Sequence, residues 1–389
     1  MKTLVEKINR TLSWNHLDAL SERVIDHAIT IQQIPAPTFF EGQRATLIAE
    51  TFRKLGLEQV DVDDRYNVYG CLAGENRARP AVMLSAHSDT VFPLETDLKV
   101  RRENGRIYGP GLGDNSLGVA ALIGVAEFLS NERIQPACDV WFIVPSREEG
   151  LGDLGGMKQA YERMADKIGA VINVEGLALG HIYHGGIAVR RLHITAHAQG
   201  GHSWLHYGRS SATHGIIQLG AYILGLTPPQ NPRTTFNIGM IEGGQGINVI
   251  ATEAGMWLDL RSERSEALAE LEAEVHQGIA QLAREDLQFK VEIVGDRPAG
   301  EIAIDHPLVQ GAIYALAMVG LKAGLETGST DANIPLASGC PAVTIGITRG
   351  GNAHRLDEYI ETEPVTDGMR QLILLTVATA KYLTDSVST

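Results

Sequence analysis

Two residues apart, His87 and Asp89 close the run Ala81-Val82-Met83-Leu84-Ser85-Ala86-His87-Ser88-Asp89-Thr90. On an extended backbone, residues i and i+2 face the same way. A histidine and a carboxylate side by side at a strand end suit a metal site. One ring nitrogen holds the ion; the other donates to the carboxylate, which fixes tautomer and tilt. Taken alone, the pair is equally a strand running into a polar turn. Further polar residues end apolar strands or sit in glycine-rich loops: Asp114, Glu148, Glu149, Glu175 and His354, the last within Gly350-Gly351-Asn352-Ala353-His354-Arg355-Leu356-Asp357. Two histidines and several carboxylates form a borderline-hard donor set that suits zinc, with cobalt or manganese as substitutes. Two metals need a bridging carboxylate and two terminal ligands each. Asp114 can bridge, with His87 and Glu175 on one side and Glu149 and His354 on the other. Glu148, beside a ligand in sequence, is then left to act as general base.

Each of these residues also has an ordinary reading. Asp114 suits a helix N-cap. Glu148-Glu149 suits a solvated turn, Glu175 a surface charge at a strand end, and His354 is one of 13 histidines. The joint pattern is what favours chemistry.

The elements that must position these groups alternate. Helical periodicity runs over Leu17–Gln33 (Leu20, Val24, Ile25, Ala28, Ile31), stopped by Pro35-Ala36-Pro37. A second helix is expected over 41–55, then strands near 60–62, 67–72 and into His87. Segment 106–118 is too glycine-rich for a regular element and opens into an apolar helix, 119–129. Strand 139–145 leads into Glu148-Glu149, helix 155–164 follows, and strand 170–174 ends at Glu175. This repetition argues for an open α/β sheet with the site beyond the strand ends.

From about Ile187 the pattern changes. Leu192, Ile194 and Ala196 alternate with Arg191, His193 and Thr195 as in an amphipathic strand. Helix 212–226, strands 234–241 and 249–260, helix 263–283 and strand 287–294 complete a four-stranded, two-helix insertion. After Arg297 come helix 306–319, a glycine-rich loop at 327–331, strand 342–347 and a closing helix, 363–383. The expected division is 1–186, an insertion at 187–297, and 298–389.

The chain has 389 residues, 44% of them hydrophobic and 21% charged, with a formal charge of −14. This is a globular composition with no electrostatic case for a nucleic-acid or anionic-membrane partner. Cys71, Cys138 and Cys340 have no zinc-ribbon or redox spacing. Residues 1–18 lack the apolar core of a leader, and no run approaches the length of a membrane span. The expected location is the cytoplasm.

The ordered motifs Ser85-Ala86-His87-Ser88-Asp89-Thr90, Gly113-Asp114-Asn115, Glu148-Glu149-Gly150, Val174-Glu175-Gly176, Gly201-His202-Ser203 and the His354 loop carry a family resemblance. The chain resembles the co-catalytic di-zinc exopeptidases and amidohydrolases that include glutamate carboxypeptidase, aminoacylase, succinyl-diaminopimelate desuccinylase and peptidase T. The resemblance spans essentially the whole chain. It implies a zinc-exopeptidase-like catalytic domain, an open mixed α/β sheet flanked by helices, with an inserted α+β lid that dimerises. It implies two zinc ions, one held by His87, Asp114 and Glu175, the other by Asp114, Glu149 and His354. Asp89 would orient His87, and Glu148 would be the base. His202 would steady the oxyanion in a partner's site. Asn248, Arg261 and the loop Gly328-Ser329-Thr330-Asp331 match substrate-contacting positions. Arg261 suits a substrate carboxylate; its ordinary reading is a surface arginine beside Asp259 and Glu263. Many relatives have Asp-Asp-Lys where this chain has Asp114-Asn115-Ser116, and the family's peptide after that aspartate is cis.

The expected activity is zinc-dependent amide hydrolysis in small peptides, of aminopeptidase or carboxypeptidase type. An N-acyl-amino-acid amidohydrolase is the alternative. A non-catalytic relative that binds metal or peptide would lack Glu148, His202 or His354, and all three are present.

Overall fold

In a computed structural model, which describes residues 1–385, the chain divides into two compact units. One comprises Met1–Gly186 and the chain from Gly300 onward; the other is Ile187–Ala299.

The first unit is built on a mixed sheet whose middle is four neighbouring strands: Val140–Val144, Ala81–Ser85, Ile168–Glu175 and Ala342–Gly346, each parallel to the next. Val68–Leu72 and Glu58–Val62 extend one edge antiparallel. His181–Gly186 extends the other, flanked by Gly300–Glu301 and Gly324–Gly328. The central strands read as unbroken apolar runs because both faces are covered. Val82, Leu84, Val140, Phe142 and Ile172 pack into one core, against the helices Leu17–Gln32, Gly42–Lys54, Leu117–Asn131, Pro307–Met318 and Val365–Asp385. Met83, Trp141, Ile143 and Val171 pack into the other, against the helix Gly155–Met164.

Helix Leu117–Asn131 is apolar nearly all round and buried accordingly. The stretch Leu112–Asn131 is long and apolar enough to pass for a membrane span, contrary to expectation, yet 89% of its most apolar window is buried inside the protein. It is a core helix. Helix Pro307–Met318 starts as its sequence suggests, with proline at the first turn and His306 Nδ1 accepting the Leu308 N–H at 3.1 Å.

Two other expectations fail. Segment 106–118 holds a short strand, Arg106–Tyr108, and a helical turn at Leu112–Ser116 interrupted by non-helical Asp114 and Asn115. The strand joins a small sheet with Arg101–Glu103, Tyr359–Glu361 and Gly350–Gly351. Strands of two or three residues are too short to show periodicity. The expected strand 249–260 is two strands, Val249–Ile250 and Glu253–Ser262, in different sheets.

The second unit is a four-stranded antiparallel sheet, ordered Thr234–Gly243, Glu253–Ser262, Ala188–Ala198, Leu287–Arg297. Leu192, Ile194 and Ala196 turn inward against the helices Ala212–Leu224 and Ser265–Leu282.

One glycine shows how tightly the first unit's loop and sheet meet. A Cβ on Gly118 would lie 2.1 Å from Asn115 Oδ1 and 2.9 Å from the Val174 carbonyl oxygen. Gly118→Ala is therefore expected to cost about 1–3 kcal/mol in urea unfolding, as overpacked sites do.

Candidate metal centre

The four central strands deliver their polar residues to one end of the sheet. His87 and Asp89 follow Ala81–Ser85, Glu148 and Glu149 follow Val140–Val144, Glu175 ends Ile168–Glu175, and His354 lies beyond Ala342–Gly346. Crevices beyond the carboxyl ends of parallel strands are where open α/β sheets place their sites.

Asp114 lies at the centre. Its Oδ1 is 3.2 Å from His87 Nε2, and its Oδ2 is 3.1 Å from His354 Nε2. Glu175 Oε2 is 3.6 Å from His87 Nε2, and Glu149 Oε1 is 3.1 Å from His354 Nε2. The structure thus brings all five candidate ligands together, with one aspartate oxygen turned to each histidine. His87, Asp114 and Glu149 offer donor atoms all within 4.8 Å of one another.

His87 turns Nδ1 to Asp89, 3.2 Å from its backbone oxygen and 3.5 Å from Oδ1, which leaves Nε2 for the cluster. Asp89 is wholly buried. Its Oδ1 accepts the Glu148 N–H at 2.9 Å; its Oδ2 accepts the Glu149 N–H at 3.0 Å and the Thr38 hydroxyl at 2.8 Å. One carboxylate thereby orients the histidine and the backbone of the two glutamates. Both Arg147, at φ 55°, and His354, at φ 66°, hold left-handed conformations, strain of a kind that collects at functional sites.

The peptide Asp114–Asn115 is cis. Asn115 is buried. Its Nδ2 donates to the Val174 carbonyl at 2.8 Å and its Oδ1 accepts the Gly176 N–H at 3.0 Å, so it grips the chain on both sides of Glu175. Asp114 does not cap the helix that follows; its carboxylate is turned to the histidines.

Electrostatics follow from this crowding. Burial alone would lower the His87 pKa, but bonds to Asp114, Asp89 and Glu175 raise it well above its ordinary value. Hydrogen bonds to the Asp114 and Glu149 carboxylates hold His354 up, to about 10. Burial opposes ionisation of Asp114, yet its bonds to His354 and His87 keep it below the usual carboxylate range. Burial raises Glu175 despite His87. Asp331 is wholly buried with no hydrogen-bond partner on either oxygen among the described residues, and burial together with the nearby Glu148 charge pushes it well above the ordinary range. Converging carboxylates around two imidazoles call for positive charge, and their nitrogen and oxygen donors fit divalent transition ions.

Two buried residues escaped the sequence reading of the site. Glu358 is buried and accepts backbone N–H groups from the Asp114 loop; burial outweighs those bonds and lifts it to about 7. Asp331 entered only as part of a matching loop. A charged residue in a loop gives no sequence sign of burial.

The remaining candidates are carried by other segments. Gly328 ends the strand Gly324–Gly328, where a Cβ would lie 2.8 Å from the Tyr183 ring, and Ser329 follows it, half-buried. In the second unit, His202 pairs with Val249 across a two-residue ladder, and the Ser203 N–H donates to the Asn248 carbonyl at 3.0 Å, so Asn248 and His202 are neighbours. Arg261 Nε donates to Asp259 at 2.7 Å, and Arg191 to the same carboxylate at 3.1 Å.

The sequence model of peptidase family M20/M25/M40 matches residues 83–377, most of the chain. The chain belongs to that family. It is a hydrolase of the M20 type. It is similar to the succinyl-diaminopimelate desuccinylase of Corynebacterium glutamicum, 28% identical over 361 residues that cover 90% of this chain and 92% of the relative. Among solved structures, aminopeptidase PepT from Bacillus cereus superposes with a TM-score of 0.76 at 21% identity, covering 92% of this chain and 99% of that one. Bacillus subtilis YXEP, described as a dinuclear metal-binding peptidase of the M20 family, gives 0.69 at 19% identity, covering 93% and 99%. These likenesses show that the mixed sheet is an M20 fold.

Asp89→Asn would set an amide among the N–H groups that the carboxylate now accepts. It is expected to weaken metal binding about 10- to 100-fold, as loss of a ligand-orienting partner does, read by competition with a chromogenic chelator.

Proposed function

We propose that the chain hydrolyses an amide bond in small peptides as a di-zinc exopeptidase. The observation that carries this reading is Asp114 with one carboxylate oxygen turned to His87 and the other to His354, at 3.2 and 3.1 Å. His87, Asp114 and Glu175 would hold one ion, and Asp114, Glu149 and His354 the other. Such ions supply Lewis acidity, polarising a carbonyl and acidifying water.

The protein's own groups do the rest. Glu148, its backbone fixed by Asp89, takes a proton from the attacking water and returns it to the leaving amine. Asp89 keeps His87 in the tautomer that presents Nε2. His202 steadies the developing oxyanion. The Trp204 N–H donates to His202 Nδ1 at 3.2 Å, so the neutral ring carries its proton on Nε2, as an oxyanion donor must. Asn248, Gly328 and Ser329 contact substrate. Arg261 anchors a substrate carboxylate through its planar guanidinium, whose Nε donates to Asp259 at 2.7 Å.

His202 acts, in this reading, in the site of a second copy. Support comes from the second unit's surface, where Trp204, Tyr207 and Ile247 are almost fully exposed and the edge strand Thr234–Gly243 exposes Met240 and Ile241. Unpaired apolar edges of this kind are association surfaces.

A deacylase acting on N-acyl amino acids is the second reading, favoured by the similarity to a desuccinylase over 90% of the chain. The zinc-loaded protein, given di- and tripeptides blocked at either end and N-acetyl amino acids, separates the readings. A requirement for a free amino terminus makes it an aminopeptidase. Cleavage of N-acetyl amino acids alone makes it a deacylase. Cleavage of none of these, with two zinc ions bound, refutes both.

Glu148→Gln is expected to keep both ions while turnover falls about 100- to 10,000-fold, the usual worth of a general base. Activity within a few fold of wild type would remove Glu148 from that role. His202→Ala is expected to cripple turnover, and mixing it with Glu148→Ala to restore some. Verified mixed dimers without recovery would end the shared-site arrangement.

A further inference from the structure

One carboxylate beside the centre is neither a candidate ligand nor exposed. Glu358 is wholly buried. Its Oε1 accepts the backbone N–H groups of Gly113 and Asp114 at 2.6 and 3.0 Å, and its Oε2 accepts that of Gly111 at 3.0 Å. Its own backbone oxygen accepts the Gly109 N–H at 2.9 Å. One residue thus holds the loop from Gly109 to Asp114 by four bonds. The small sheet makes this possible: Tyr359 lies opposite Tyr108 and Ile360 opposite Ile107, so Glu358 meets the loop as it leaves the strand.

Gln32 Nε2 and the Ser116 hydroxyl donate to the loop's Pro110 and Gly111 carbonyls at 3.0 and 2.7 Å, and Leu112 is buried in the core, while Glu358 accepts four of the loop's N–H groups. Glycine at 109, 111 and 113 contributes no side-chain packing and leaves the backbone permissive; Gly111, at φ 71°, needs that freedom. Four residues before Glu358, the same segment carries His354, 3.1 Å from Asp114 Oδ2. A short stretch of chain therefore supplies one candidate ligand and grips the backbone of another.

We propose that Glu358 is a positioning residue for the metal centre: its carboxylate sets the backbone of Asp114, and through it the affinity of the position formed by Asp114, Glu149 and His354. This rests on the reading that Asp114 bridges two ions. A carboxylate is suited to the task because it only accepts, through both oxygens. Glutamine has one acceptor oxygen and an NH2 group, so one or more of the loop's N–H groups would face a donor. Each buried N–H left without an acceptor favours a rearranged loop.

The test compares wild type with Glu358→Gln, both stripped of metal and titrated with Co2+ by calorimetry and visible absorption. Wild type is expected to bind two ions. The variant is expected to bind the second ion about tenfold or more weakly, as loss of an outer partner does, with a changed absorption band. Hydrogen exchange over 109–116 should be faster in the metal-free variant. A folded variant with wild-type affinities, spectrum and exchange overturns the proposal. So does a lowered urea midpoint with unchanged affinities, which is what a merely structural role gives. If wild type itself fails to bind two ions, the reading of the centre falls instead. Should Glu358→Gln not fold, Glu358→Asp keeps both acceptors on a shorter arm, and the same affinities decide.

Discussion

A single carboxylate facing two histidines is the constraint on which the rest of the first unit turns. Asp114 presents one oxygen to His87 and the other to His354, an arrangement that tolerates little movement of its backbone. The surroundings restrain it from two directions. Asn115 ties the next residue to the peptides flanking Glu175, and Glu358 accepts the N–H groups just before and at Asp114. Behind them Gly118 lets the helix approach closely enough for Asn115 to reach Val174. Crowding of like charge is the accompanying cost. Burial and neighbouring carboxylates push Asp331 and Glu175 up, while the two imidazoles hold Asp114 down. Charges this close are stable only when each meets a partner of opposite sign.

The sheet supplies convergence and stiffness. Four adjacent parallel strands, buried on both faces, end together. Side chains carried at or just past those ends inherit the sheet's spacing. Asp89 then links two neighbouring strand ends, joining His87 after one to the Glu148 and Glu149 backbone after the next. Asn115 does the same for the Asp114 loop and the strand that ends at Glu175. Groups on separate loops are thus cross-tied by buried polar side chains, which hold position without filling the space between the candidate ligands.

Much of this is legible in the sequence, for particular reasons. His87, Glu149 and Glu175 each follow a run of apolar residues, and a polar residue that ends a buried strand stands out. Asp114 stands out because glycines surround it. The insertion shows itself through Leu192, Ile194 and Ala196, whose alternation needs only one covered face. What could not be read depends on contacts distant in sequence. Glu358 looks like any acidic loop residue until Gly109–Asp114 folds against it. The small sheet has strands such as Gly350–Gly351, too short for a pattern. His181–Gly186 forms a strand although histidine and glycine dominate it, because neighbouring strands supply its hydrogen bonds. The expected strand 249–260 breaks at Ala251 and Thr252, with no glycine or proline there to mark the break.

The place where the second unit leaves the first carries its own consequence. Gly186 and Gly300 are directly paired across an antiparallel ladder, so the chain departs and returns at adjacent points of one sheet. Residues 187–299 are, to that sheet, the content of a hairpin loop. The entropy of closing such a loop rises only slowly with its length. Material can therefore be added, shortened or exchanged between those two glycines with little disturbance to the strand ends. Changes can then accumulate in the excursion, while the strand ends that carry the candidate ligands stay under separate constraint.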